Sequence, residues 1–140
     1  MRGICSPWPE RTASTFALSH VTGGGLAANL ARVLPQGAFA TVDRSTWTPP
    51  AVFEVVRELG QVPVADLERT LNMGIGFVAV LPAAQCDLAI KILKTLGVEA
   101  WLLGQVSDLA AAPIQDGIEV VRGTKGVDGG SVQVVGTSPR

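Results

Sequence analysis

The chain is poor in the residues that metal and acid–base chemistry most often use. It has one histidine, His20, and two cysteines, Cys5 and Cys86. The cysteines lie far apart, with no partners at metal-ligand spacing, which excludes a zinc site of the usual kind. Isolated cysteines fit a reducing, cytoplasmic setting. One histidine and no Gly-x-Ser-x-Gly elbow leave no Ser/His/Asp triad to assemble. Paired carboxylates for acid–base work are not evident either. No block of Lys and Arg gathers anywhere, and the formal net charge is −1. That excludes the electrostatic footprint of a nucleic-acid binder. No apolar run reaches the ~18–20 residues of a membrane span. The opening "MRGICSPWPERTASTF" carries charges and two prolines, so it does not read as a signal peptide. No internal repeat or low-complexity block is visible.

What is present is apolar residues in quantity, about half of the 140, enough for one domain with a real core. Residues 1–16 read as irregular, and residues 17–21 as a short strand or helix end. Leu26, Leu30 and Val33 recur at helical spacing, and Pro35 and Gly37 stop that helix. "AFATVD" (38–43) alternates like a strand. In "TWTPPAVFEVVRELG" a helix is expected, with Thr48 as N-cap and Gly60 just past its end. Val52, Phe53, Val56 and Leu59 would form its apolar face. A shorter helix follows over 64–71 and a strand over 77–81. A long helix runs over 82–96, with Cys86, Ala89, Ile90 and Leu93 on one face and Gly97 ending it. "VEAWLLGQV" is a further strand, "LAAAPIQDG" a soft linker, and "IEVVRG" and "SVQVVG" flank a turn as a hairpin. Helices alternating with strands give an α/β or α+β class.

Two glycine-rich points carry candidate chemistry. In "HVTGGGL" the glycines precede a helix, whose start offers unpaired N–H groups suited to phosphate. Gly23, Gly24 and Gly25 would let the backbone approach a ligand, with Thr22 adding a hydroxyl and His20 a hydrogen bond at the rim. The string is neither a Walker A loop nor a Gly-x-Gly-x-x-Gly fingerprint. The plain alternative is a loop that only lets a helix pack tightly. In "TLNMGIGF", Gly74 and Gly76 alternate at the mouth of a strand, which marks close approach of a ligand or of another backbone. Asn72 reads a ligand or ties a turn, and Met73 fills core or lines the site. Asp43 and Arg44 end a strand, as a ligand contact or as a solvated ion pair. Trp47 and Trp101 read as packing residues.

The two points stop being independent when the strings "SHVTGGGLAANLARVLP", "DRSTWTPPAVFEVVRELG" and "RTLNMGIGFVAVLP" are taken in order. Over residues 17–105 they closely resemble the C-terminal domain of the aminoimidazole ribonucleotide synthetase family, the phosphoribosylformylglycinamidine cyclo-ligases. Val21 and Leu71 depart from common family residues but keep apolar positions. The resemblance implies a sheet covered by helices, part of a three-layer α/β/α domain. It also implies a division into an irregular segment 1–16, a cyclo-ligase portion 17–108, and a linker with a hairpin tail 109–140. The implied reaction belongs to purine biosynthesis. ATP phosphorylates the amide oxygen of formylglycinamidine ribonucleotide, an amidine nitrogen attacks that carbon, phosphate leaves and the imidazole ring closes. Such chemistry needs positioned phosphate groups. By this resemblance His20 and Asn72 are the catalytic candidates, and Thr22, Gly23, Gly24, Gly25, Met73, Gly74 and Gly76 bind substrate or phosphate. No residue of this chain is assigned to metal. ATP and magnesium would be held mostly by an N-terminal domain, without which this portion is expected to be inactive. The alternatives are a non-catalytic interaction module of the same fold and another ATP-using member of the superfamily. Absent leading elements would leave a sheet edge or an apolar face uncovered, which predicts self-association.

Overall fold

The computed structural model describes residues 2–6, 17–124 and 129–139. One mixed sheet of seven strands organises it. The strands are β1 (Arg2–Ser6), β2 (Ala17–His20), β3 (Ala38–Asp43), β4 (Phe77–Pro82), β5 (Leu102–Asp108), β6 (Val120–Arg122) and β7 (Ser131–Val135), in the spatial order β2-β4-β1-β5-β3-β7-β6. β4, β1 and β5 run parallel, and β2, β3 and β7 run against them. The start of β4 and the ends of β2 and β3 therefore lie at the same end of the sheet.

Helices cover both faces. Among the described residues they are α1 (Gly25–Val33), α2 (Ala51–Gly60), α3 (Val64–Thr70) and α4 (Ala83–Thr95). Alternation along β4 separates the two packing layers. Val78 and Val80 join the main core with Leu26 and Leu30 of α1, Val42 of β3 and Val132 of β7. Ala79 and Leu81 point the other way, against Cys86 of α4. The class is mixed α and β, with a helix on each face, as expected.

Several local expectations need correction. Residues 2–6 are not irregular: they form a strand that pairs in parallel with both β4 and β5. A pattern search misses it because five residues carry too little period to stand out. Residues 7–16 lie outside the described residues. Thr48 does not cap α2, because Pro50 takes the N-cap position in an extended conformation. Consecutive prolines hold the residue before each of them out of the helical region. Gly60 is the last helical residue of α2, and Gln61 at φ 50 supplies the left-handed cap. The fifth strand starts at Leu102, later than expected. The terminal hairpin is not an appended tail, since β7 pairs in parallel with β3 along Phe39–Asp43 and so extends the sheet. Cys86 is buried but not isolated; it is disulfide-bonded.

The apolar stripe of α2 is real, yet none of that helix is buried. Val52 is 59 % exposed and Leu59 84 %. Val55 and Val56 are exposed as well, so the stripe faces outward.

Candidate functional site at one end of the sheet

The three strings that looked informative converge. β2 and β4 pair antiparallel with His20 opposite Phe77, and their rings stack at a centroid distance of 6.3 Å. The next residue continues the pairing, as Val21 N–H donates to Gly76 O at 3.0 Å. The loop after β2 thus lies beside the loop before β4. The segment after β3 closes the group. Its Trp47 is 7 % exposed, and its indole Nε1–H donates to Met73 O at 3.1 Å. Replacing Trp47 by phenylalanine keeps most of the packing and removes that one bond. The expected loss is about 1 kcal/mol of stability, read as a lower midpoint in a thermal melt.

Each candidate residue has a definite place. His20, Thr22, Gly23, Gly24 and Gly76 are exposed at the end of the sheet. Gly24 caps α1 at φ 97, a conformation that side chains disfavour. Gly25 is different. It is buried at φ 73, and a Cβ there would overlap the backbone carbonyl of Glu68 on α3. Its role in this structure is close helix packing. Asn72 is half-buried, and its side-chain oxygen accepts from Gly74 N–H at 3.0 Å. Its carbonyl accepts from Ile75 N–H at 2.8 Å. Met73 takes the left-handed conformation at φ 51 within this turn, and Gly74 packs on Pro50. The second glycine point is therefore a tied turn, braced by α2's leading proline and by Trp47.

Sequence reasoning missed two residues. Asn29 sits off the apolar stripe of α1 yet is 6 % exposed. Its Nδ2 donates to the carbonyls of Gly25 at 2.7 Å, Gly23 at 3.2 Å and Thr22 at 3.3 Å. Across a trans peptide the N–H points opposite to the C=O. Gathering the Thr22 and Gly23 oxygens under a buried amide therefore turns the N–H groups of Gly23 and Gly24 toward the exposed side. An asparagine one turn after a glycine run was the available signal. The second is Glu68. Arg44 does not pair with Asp43; it forks onto Glu68, with Nε to Oε1 at 2.6 Å and Nη2 to Oε2 at 2.5 Å. Hydrogen bonding to Glu68 raises the Arg44 pKa above its ordinary value, against the opposing effect of partial burial. Asp43 instead accepts from Ser45 N–H at 2.8 Å and caps the 3-10 turn Arg44–Thr46. Only tertiary folding brings Glu68 to Arg44.

Comparison with known proteins gives the family. A family profile described as AIR synthase related protein, C-terminal domain, matches residues 13–112. The chain belongs to that family. A Streptomyces fradiae protein named "Putative phosphoribosylformylglycinamidine cyclo-ligase" is 52 % identical over 98 residues, 70 % of this chain and 54 % of the relative. The phosphoribosylformylglycinamidine cyclo-ligase of Synechococcus sp. (strain RCC307) is 45 % identical over 89 residues, covering 64 % of this chain and 26 % of that protein. The enzyme of that name from Sorangium cellulosum (strain So ce56) is 43 % identical over 99 residues, 71 % and 28 % respectively. The match thus spans about half of the first relative and about a quarter of the other two. The three converging strings all fall within the family's domain. No helix among the described residues is long and apolar enough to cross a membrane.

Proposed function

We propose that this chain is the C-terminal-domain portion of a phosphoribosylformylglycinamidine cyclo-ligase, and that its loop 20–25 holds a phosphate or phosphoryl group during ATP-dependent ring closure. The observation that carries the reading is the antiparallel seam joining His20 and Val21 to Gly76 and Phe77, which sets an exposed glycine loop beside a rigid turn. In this reading the outward N–H groups of Gly23 and Gly24 receive phosphate oxygens, and Thr22 adds a hydroxyl. His20 hydrogen-bonds the negative charge that develops on the transferring group, or moves a proton at the substrate nitrogen. Asn72, its oxygen engaged by Gly74, orients the substrate amide or amidine with its NH2 end. Gly25, Met73 and Gly74 shape the loops from behind, and Gly76 keeps the seam open.

The described residues do not fit a magnesium site. They contain no group of three or more His, Cys, Asp or Glu that could hold a metal. Two of the carboxylates are already engaged, Glu68 by Arg44 and Asp43 by the Ser45 N–H. Magnesium and most of the ATP contacts fall, in this proposal, to an N-terminal domain of the kind the resemblance implies. The exposed stripe on α2 favours a second reading, in which the fold serves as a self-associating or partner-binding module.

A thermal melt of the chain with ATP, magnesium and formylglycinamidine ribonucleotide separates the two. A ligand that binds the folded form raises the midpoint. The expected result is a rise that disappears in His20→Ala, read against that variant's own unliganded midpoint, which loss of the stacking on Phe77 lowers slightly. A cooperative melt that no ligand moves overturns the phosphate reading for this chain and leaves the interaction module.

A further inference from the structure

We propose that Arg44 is a positioning residue for loop 20–25, acting through Glu68; this rests on reading that loop as the ligand-holding element. The linkage is short. Gly25 ends the loop and begins α1, and it packs against the Glu68 carbonyl so closely that no side chain fits between them. Where α3 sits therefore decides where the loop sits.

On its own, α3 cannot hold that place. It has seven residues, far below the length at which a helix is stable by itself. Its buried anchor is Leu67, a single side chain about which it could pivot. The second anchor is Glu68, and Arg44 supplies it. Two guanidinium nitrogens meet the two carboxylate oxygens, a planar fork that fixes orientation as well as distance. The third, Nη1, donates to Val134 O on β7 at 2.5 Å. Arg44 itself starts the 3-10 turn that Asp43 caps at the end of β3. The guanidinium thus ties α3 to two neighbouring strands of the sheet. The hairpin strand β7 lies beyond the residues matched by the family profile, yet it supplies one of these bonds.

The test compares Arg44→Met, Glu68→Gln and Arg44→Lys with the unaltered chain. One readout is the amide resonances of Gly23, Gly24 and Gly25 in the nitrogen-15-labelled chain. The other is the midpoint rise caused by ATP, magnesium and formylglycinamidine ribonucleotide. Ala89→Gly is the control, because Ala89 lies on α4 against Ala79, Leu81 and Cys86, on the face of the sheet away from the main core that α1 joins, and a glycine inside a helix lowers stability. Arg44→Met and Glu68→Gln are expected to shift the three glycine resonances and to reduce the ligand-induced rise. Arg44→Lys, which keeps the charge without the fork, should fall between. Ala89→Gly should lower the midpoint and leave the glycine resonances in place. Glycine resonances unmoved in Glu68→Gln, the milder variant should Arg44→Met fail to fold, overturn the proposal. So does an Ala89→Gly spectrum shifted as far as theirs. If the unaltered chain shows no ligand-induced rise, the ligand-holding reading fails, and the resonances alone decide whether Arg44 positions the loop.

Discussion

Gly25→Ala is expected to cost this chain about 3–5 kcal/mol, enough to leave it partly unfolded at room temperature. Two separate penalties add. Gly25 sits at φ 73, where an alanine is disfavoured by about 1–2 kcal/mol. The new methyl would also overlap the Glu68 carbonyl. Backbone is the hard case, because the carbonyl cannot rotate aside as a side chain would. Relief requires moving α3, and α3 is held by Leu67 and by the Arg44–Glu68 fork. Neighbouring glycines make the contrast. A Cβ at Gly23 meets nothing within 4 Å, so Gly23→Ala should stay within about 0.5 kcal/mol. Chemical denaturation of both variants checks the pair, and equal midpoints would mean that α1 and α3 are not packed as described.

The second large effect is expected on the opposite face. Gln133 lies on β7 at 0 % exposure. Its side-chain oxygen accepts from Gln115 N–H at 2.9 Å, and its Nε2 donates to Gln115 O at 2.8 Å and Ile118 O at 2.9 Å. One amide thereby does for segment 109–118 what a strand would do, pairing with its backbone. Leucine has nearly the same volume and none of these bonds. Gln133→Leu is expected to cost about 2–4 kcal/mol, at roughly 1 kcal/mol for each bond plus desolvated groups left behind. Limited proteolysis should then cut first within 109–118, because that segment has lost its tether. Gln133→Glu should be no better, since a carboxylate cannot donate to the two carbonyls. Wild-type resistance to protease in Gln133→Leu would mean that the segment is held by other contacts.

Tight helix packing was one of the two readings the glycine loop offered, and Gly25 takes it; the other roles are ones the sequence does not display. Gln133 alternates correctly for a strand, and its neighbours look like one; the pattern says nothing of a partner 18 residues away. Glu68 reads as an ordinary polar residue on a short helix. Asn29 is one more polar position beside an apolar stripe. In each case the role is a pairing between distant segments, and pairing is a property of the fold.

Local sequence determined the elements themselves. The strand over 38–43 follows from alternation, and α1 follows from an apolar stripe stopped before Pro35. α4 follows in the same way, with Gly97 at φ 72 closing it. Those signals act over a few residues, so a few residues suffice to read them. The three family strings were equally legible, and the fold brings them together at one end of the sheet.

Tertiary structure decided what the strings do there. It made Gly25 a packing contact and left Gly23 and Gly24 open. It turned Asn72 into the tie of a turn, moved Arg44 from Asp43 to Glu68, and placed residues 2–6 between β4 and β5. The physical reason is common to all of these. Hydrophobic periodicity and backbone stiffness act between near neighbours and can be read along the chain. Close packing and hydrogen-bond pairing act between surfaces that meet only once the sheet has formed.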